Sequence, residues 1–302
     1  MTRKKDKMAR IVTHLCQDMD SLFAVAAFEV FMNRGKPAEI CRVPANWDGA
    51  DLEEEDVALD IDAGGRGLKG HRDPDGKVHS AFGLVVERFA SPEDKRALER
   101  LVEYVDACDS AGSAARTLLP GHDRESYFGV EEGEIRLLIA GAHLEAKGDE
   151  DRVQDFVRYI FRLKLEMGRK RARSEEMASR CVRPHLAVAI VVNAPSATTP
   201  LFEGGEVRFI VFVDGKNIGI ARETNETMRV DAPEVRAVVE AAGEKISPVG
   251  VGVTNEWFAH SAGFLFSRGT KKSPVETPSK VRPEDLATAL IRAIEREEKA
   301  KS

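Results

Sequence analysis

Apolar positions come in short bursts along this chain. Ala9–Thr13 is a brief apolar run of strand length, and the polar stretch His14–Ser21 follows it. Leu22–Met32 then carries apolar residues at helical spacing. Val57–Ile61 reads as a second short strand, closed by the loop signal Asp62-Ala63-Gly64-Gly65. Ser80–Phe89 and Pro92–Val105 read as helices, the second with Ser91 as its N-cap. Strands alternating with helices predict parallel βα units on an open sheet. Such sheets bind ligands where the carboxyl ends of the strands open into loops.

Asp149 to about Ala178 reads as one long polar helix carrying Phe156, Ile160, Leu163 and Leu165. It holds a basic run of Arg158, Arg162, Lys164, Arg169, Lys170, Arg171 and Arg173. Two readings stand: a solvated helix joining two domains, and a stripe that faces phosphates. After Arg183-Pro184 the pattern turns β-like at Leu186–Val192, Val207–Val213 and Ile218–Ala221, with Asp214-Gly215 as a hairpin turn. Ala232–Ala242 and Pro283–Glu297 read as helices, and Val275–Val281 as a loop. The expected fold class is α/β in two domains. Residues 1–148 form a parallel sheet with flanking helices, 149–183 a connecting helix, and 184–302 a smaller mixed α/β domain.

Composition narrows the classes. Of 302 residues, 42% are hydrophobic and 32% charged, which suffices for real cores. No apolar run approaches the ~18 residues of a membrane span, and no signal-peptide core can be drawn behind the charged stretch Met1–Lys7. A soluble, cytoplasmic protein is expected. Cys16, Cys41, Cys108 and Cys181 form no CxxC pair, so neither a disulfide framework nor a zinc knuckle is indicated. The net charge of −6 argues against a surface that grips long duplexes. Patterns for dinucleotide, nucleoside-triphosphate and serine-hydrolase sites are absent.

The chemistry is concentrated in Thr13-His14-Leu15-Cys16-Gln17-Asp18-Met19-Asp20-Ser21. One imidazole and two carboxylates follow a strand directly, a donor set that suits Mn²⁺ and similar ions. Asp20 or Ser21 could equally cap the next helix. Further acids recur down the chain: Asp60 and Asp62 after the second strand, Asp73 and Asp75 among His71, Arg72 and His79, then Asp106 and Asp109 after Leu101–Val105. Each acid alone is an ordinary solvated residue. Four clusters, two of them with histidine, point to a two-metal site able to clamp a phosphoryl group. His122, His143 and His185 lie outside these clusters and read as ordinary polar residues. Trp257 and Phe258 read as core of the second domain.

With these residues in view, THLCQDMDSLFA resembles the first motif of the DHH phosphoesterase superfamily, which includes RecJ-type exonucleases, oligoribonucleases and family II pyrophosphatases. Asp62-Ala63-Gly64-Gly65, His71-Arg72, Ser80–Val85 and Val105–Asp109 are more particularly similar to the melanocyte-proliferating-gene branch of these hydrolases. Trp257–Phe264 resembles the closing aromatic-x-His-x-x-Gly-Phe segment of that branch. The resemblance covers about residues 9–112 and 250–270. It implies two divalent metal ions, Mn²⁺ with Mg²⁺ as the alternative. His14 and Asp18 would hold one ion and Asp20 the other, with Asp62 bridging them. Asp106 or Asp109 would complete the second site, and His260, Ser261 and Gly263 would grip the substrate.

The Asp-His-His that names the superfamily is not intact. One alignment puts Gly70-His71-Arg72 in its place, which keeps His71 as a metal ligand and sets Arg72 against the scissile phosphate. The other puts Asp73-Pro74-Asp75 there and loses both histidines, with His79 as a substitute. The implied activity is a metal-dependent phosphoesterase, exonuclease-like, acting on short single-stranded nucleic acid or small nucleotides. His71 and Arg72 are its catalytic candidates. The alternatives are a catalytically degenerate binding or regulatory module, and a pyrophosphatase or small-metabolite phosphatase. No membrane partner is expected, and a homodimer stays open.

Overall fold

The computed structural model describes residues 10–111, 129–251, 253–270 and 273–301. The chain divides into two compact units, Met1–Ala172 and Arg173–Ser302. The expected α/β class is found in both.

In the first unit, β1 (Ile11–His14) lies between β2 (Ile40–Val43) and β3 (Val57–Ala58), parallel to both. Ile11, Val12 and Thr13 are buried, and the strand ends at half-buried His14, so the chain turns polar where the sheet opens. The predicted second strand is cut short. Only Val57–Ala58 pair as a strand, Leu59 makes a single bridge to Leu68, and Asp60 takes a left-handed φ of 57° that breaks the extended run. Gly67 lets this loop double back, because a Cβ there would lie 1.8 Å from the carbonyl oxygen of Ile61.

Helix α1 (Met19–Phe31) is capped by Asp18, not by Asp20 or Ser21: the Asp18 carboxylate accepts the Ser21 amide at 3.1 Å. A two-stranded hairpin follows, β4 (His71–Arg72) with β5 (Val78–His79). Helix α2 (Ala81–Phe89) begins at Ser80, whose hydroxyl accepts the Gly83 amide. Helix α3 (Pro92–Ala111) starts at Ser91 as the sequence predicts, with the Asp94 amide donating to the Ser91 hydroxyl. It runs on past Val105, so Leu101–Val105 is a helical segment, and Asp106 and Asp109 sit in the last turns of a helix rather than beside a sheet. Helix α4 (Gly129–Ala146) and helix α5 (Glu150–Ser179) follow, and α5 belongs to this unit as far as Ala172.

Helix α5 is no solvated bridge over most of its length. Val153, Val157, Ile160, Phe161 and Leu165 join the core formed by α1, α2 and α3. Three cations of its basic run are engaged within the unit: Arg158 with Glu29, Arg162 with the carbonyl of Gly35, and Arg169 with Asp94.

The second unit is built on a six-stranded mixed sheet of order β10-β11-β9-β8-β7-β6. Its strands are β6 (Val182–His185), β7 (Val188–Val192), β8 (Phe209–Asp214), β9 (Asn217–Arg222), β10 (Phe258–Ala259) and β11 (Leu265–Arg268). Only β7 and β8 are parallel. Val188 and Ile190 pack into one core with α7 (Pro233–Ala241) and α8 (Pro283–Lys301), while Ala189 and Val191 pack into another with α6 (Thr198–Glu203). Burial on both faces explains the unbroken apolar run of β7. Trp257 is fully buried and stacks on Phe266, as its core reading requires.

Candidate metal centre

His14 ends β1, Asp18 caps α1, and Asp60 follows β3. These three bring one ligand atom each within 4.8 Å of one another. The His14 Nε2 and an Asp60 oxygen are 2.8 Å apart, and both side chains are largely shielded. The left-handed φ of Asp60 turns its carboxylate toward His14, and Asp is among the residues that tolerate that conformation. The hydrogen bond to Asp60 raises the imidazole pKa of His14 above its ordinary value. Burial raises that of Asp60, the charge of Asp18 adds to it, and His14 opposes both.

Asp109 joins this group electrostatically. Burial first, then the charges of Asp60, Asp18 and Asp106, push its carboxyl up to about 6. Asp106 and Asp109 stand three residues apart on α3, which places them on one face. Asp106 is committed elsewhere: one of its oxygens accepts the Ser80 amide at 2.9 Å and the Ser80 hydroxyl at 2.5 Å. Asp109 adjoins the start of the hairpin, since a Cβ on Gly70 would lie 3.1 Å from its oxygen.

Asp20 is buried, and its two oxygens accept the amides of Ala81 and Phe82 at 2.8 and 2.7 Å. These amides open α2, where a helix lacks internal acceptors and presents a positive dipole end. Burial raises the Asp20 pKa well above its ordinary value, and Asp60 adds to this, while the two amides oppose it. Asp20→Ala should destabilise the protein by ~2–4 kcal/mol, because it leaves the buried amides of Ala81 and Phe82 without their acceptors, a loss measurable by urea unfolding. Its loss of activity would report on folding as much as on a ligand role.

Asp62 does not join the cluster. It is exposed, and its carboxylate accepts the Gly65 amide at 3.3 Å within its own loop. Asp60, two residues earlier, is the carboxylate that comes within reach of His14 and Asp18. His71 is on the hairpin and pairs with Asp73 at 3.2 Å, while Arg72 is exposed and donates to the carbonyl of Gly76. Neither lies among the ligand atoms contributed by His14, Asp18 and Asp60.

Asp18, Asp20 and Asp109 line a cavity of about 370 Å³ together with Arg136 and His143. The sequence reading treats His143 as an ordinary polar residue, and nothing in its local pattern on α4 connects it to His14. His185 accepts the Ala187 amide, as an ordinary polar residue would. His122 lies outside the described residues. None of the four cysteines is in a disulfide, and Cys16 is exposed.

In the second unit, His260, Ser261 and Gly263 form one tight turn. The Gly263 amide donates to the His260 carbonyl at 2.8 Å, and Arg229 donates to the Ser261 carbonyl at 2.9 Å. Gly263 has a φ of 69°, and a Cβ there would strike the Arg229 side chain at 2.8 Å. His260 accepts the Ala262 amide on Nδ1 at 3.2 Å. Its ring packs on Phe264 with centroids 4.1 Å apart.

No family model matches this sequence, and no curated protein matches it. Among solved structures, RecJ from Thermus thermophilus in complex with Mg²⁺ is similar over 95% of this chain and 50% of its own, at 13% identity and a TM-score of 0.27. RecJ from the same organism in complex with Mn²⁺ is similar over 95% and 52%, at the same identity and TM-score. The chain therefore spans about half the length of those RecJ chains, and no site residue is assigned from the likeness. Among the described residues, no helix is long and apolar enough to cross a membrane.

Proposed function

We propose that this protein is a divalent-metal-dependent phosphoesterase of the DHH type, acting on short single-stranded nucleic acid or small nucleotides. The convergence of His14, Asp18 and Asp60 at the carboxyl end of the central parallel strand carries this reading. The donor set fits Mn²⁺ or Mg²⁺, being mostly carboxylate with one imidazole. Crowded carboxylates with raised pKa values are also a charge distribution that a cation would relieve. His14, Asp18, Asp60 and Asp109 would hold the metal, and Asp20 and His143 line a cavity with two of these, Asp18 and Asp109. A bound divalent ion supplies an acidified water and positive charge for phosphoryl oxygens.

The chain's own groups do the rest. Asp60 fixes the orientation of the His14 ring. Exposed Arg72 presents guanidinium donors that suit a phosphate oxygen. His260 and Gly263 form a rigid turn suited to a terminal phosphate or sugar.

A second reading has its own observation. His71 pairs with Asp73 on the hairpin instead of joining the acidic group, so the altered motif fits a binding module without turnover. Incubating the protein with short labelled RNA and DNA separates the two. A phosphoesterase releases mononucleotide with Mn²⁺, stops with EDTA, and loses the activity in Asp60→Asn. Absence of release, with pyrophosphate and cyclic dinucleotides also intact, selects the module.

A further inference from the structure

The β4–β5 hairpin carries two histidines that lie outside the group of His14, Asp18 and Asp60. His71 and His79 are directly paired across the two strands. Their rings stack with centroids 5.1 Å apart and planes inclined by 19°. Both Nε2 atoms converge on Asp73, one on each carboxylate oxygen, at 3.2 and 3.0 Å. The ligand atoms of the three residues lie within 4.8 Å of one another. We propose that this hairpin is a separate transition-metal site, in which His71, Asp73 and His79 bind one ion of the Zn²⁺ class.

One ligand atom from each of the three side chains lies close enough to the other two for a single ion to reach all three. Bonds of ~2.0–2.2 Å to a tetrahedral or octahedral centre place neighbouring ligand atoms ~3.0–3.5 Å apart. The observed separations of 3.0 and 3.2 Å fall in that range. The backbone holds the donors in place. Asp73 donates its amide to the carbonyl of Lys77, the Gly76 amide donates to the carbonyl of Asp73, and Arg72 ties its guanidinium to the carbonyl of Gly76.

A cation shared by the two imidazoles and the carboxylate would take the place of the protons that otherwise bridge each Nε2 to Asp73.

The donor set chooses the ion. Two imidazoles and one carboxylate suit Zn²⁺, Fe²⁺, Co²⁺ or Ni²⁺, whereas Mg²⁺ prefers oxygen. The site shares no ligand with His14, Asp18 and Asp60, so it goes beyond the phosphoesterase reading and does not depend on it.

Titrating the full chain with Co²⁺ and reading its visible absorption tests this. The protein should take up Co²⁺ with visible bands that Zn²⁺ abolishes and excess Mg²⁺ leaves in place. His79→Gln and Asp73→Asn should each weaken binding by at least the ~10–100-fold that loss of an outer-shell partner costs. Asp60→Asn should leave these bands intact. Circular dichroism confirms that the exposed hairpin variants remain folded. Bands unchanged in both hairpin variants, lost in Asp60→Asn, or absent from the unaltered protein would overturn the proposal. Failure of the phosphoesterase reading shows separately, as absent Mn²⁺-dependent release.

Discussion

Arg158→Ala should be among the most damaging single substitutions in the first unit, costing ~3–5 kcal/mol. The Glu29 side chain is 2% exposed and that of Arg158 13%. The guanidinium spans the carboxylate with two bonds, Nε to one oxygen at 2.8 Å and Nη2 to the other at 2.7 Å. One of those oxygens also accepts the Ala38 amide at 2.8 Å, so Glu29 joins α5 and the segment before β2 to α1. Truncating Arg158 leaves a buried anion without its cation, which costs far more than the pair contributes against an apolar alternative. Urea unfolding should show the loss in the midpoint. Joint replacement of Glu29 and Arg158 by Met should recover much of it, because the desolvation cost disappears with the charges. Full recovery by Lys at position 158 would sink the bidentate account, since a point charge cannot reproduce the fork.

This result bears on how the basic run in α5 is to be understood. From sequence, seven cations within a polar helix suit solvent or phosphate equally well. The structure gives Arg158, Arg162 and Arg169 acceptors in α1, in the turn after it, and in α3. Those acceptors lie about 75 or more positions away in the chain, and no helical period announces them.

Other features were legible because local physics decides them. The switch from period two to period 3.6 marks the passage from β1 to α1. Ser91 sits where a helix needs a side-chain acceptor. Strand β2 was not legible: all four of its residues are half-buried, and Cys41 and Arg42 interrupt any apolar run. Choosing between Asp60 and Asp62 was also beyond the pattern. A regular strand would place both on one face, and only the positive φ at Asp60 separates them. The hairpin did leave a signal. Asp73-Pro74-Asp75-Gly76 is a turn sequence with a mechanism for each residue, and it would have set His71 opposite His79.

Asp60→Asn should remove metal-dependent stabilisation while leaving the metal-free protein as stable as before, or more so. Asn tolerates a left-handed φ, and its side chain can still hydrogen-bond His14. It also removes one of the charges that raise the pKa of Asp20 and Asp109. Carboxyls whose folded pKa is raised bind protons more readily in the folded chain. Their stabilisation is complete below the unfolded value near 4 and is lost as the pH rises through the folded value, about 6 for Asp109. The metal-free protein should therefore lose stability between pH 5 and pH 7.5, and Asp60→Asn should flatten that slope. Mn²⁺ has the opposite dependence, since it competes with protons for the same oxygens. At a concentration ~100 times its Kd it should add ~2.7 kcal/mol near pH 7.5, and much less near pH 5. Thermal unfolding at the two pH values, with Mn²⁺ and with EDTA, reads all of these terms. An equal Mn²⁺ gain in Asp60→Asn and the unaltered chain would remove Asp60 from the metal centre. A metal-free stability indifferent to pH would mean that the carboxylates are not crowded as the structure shows.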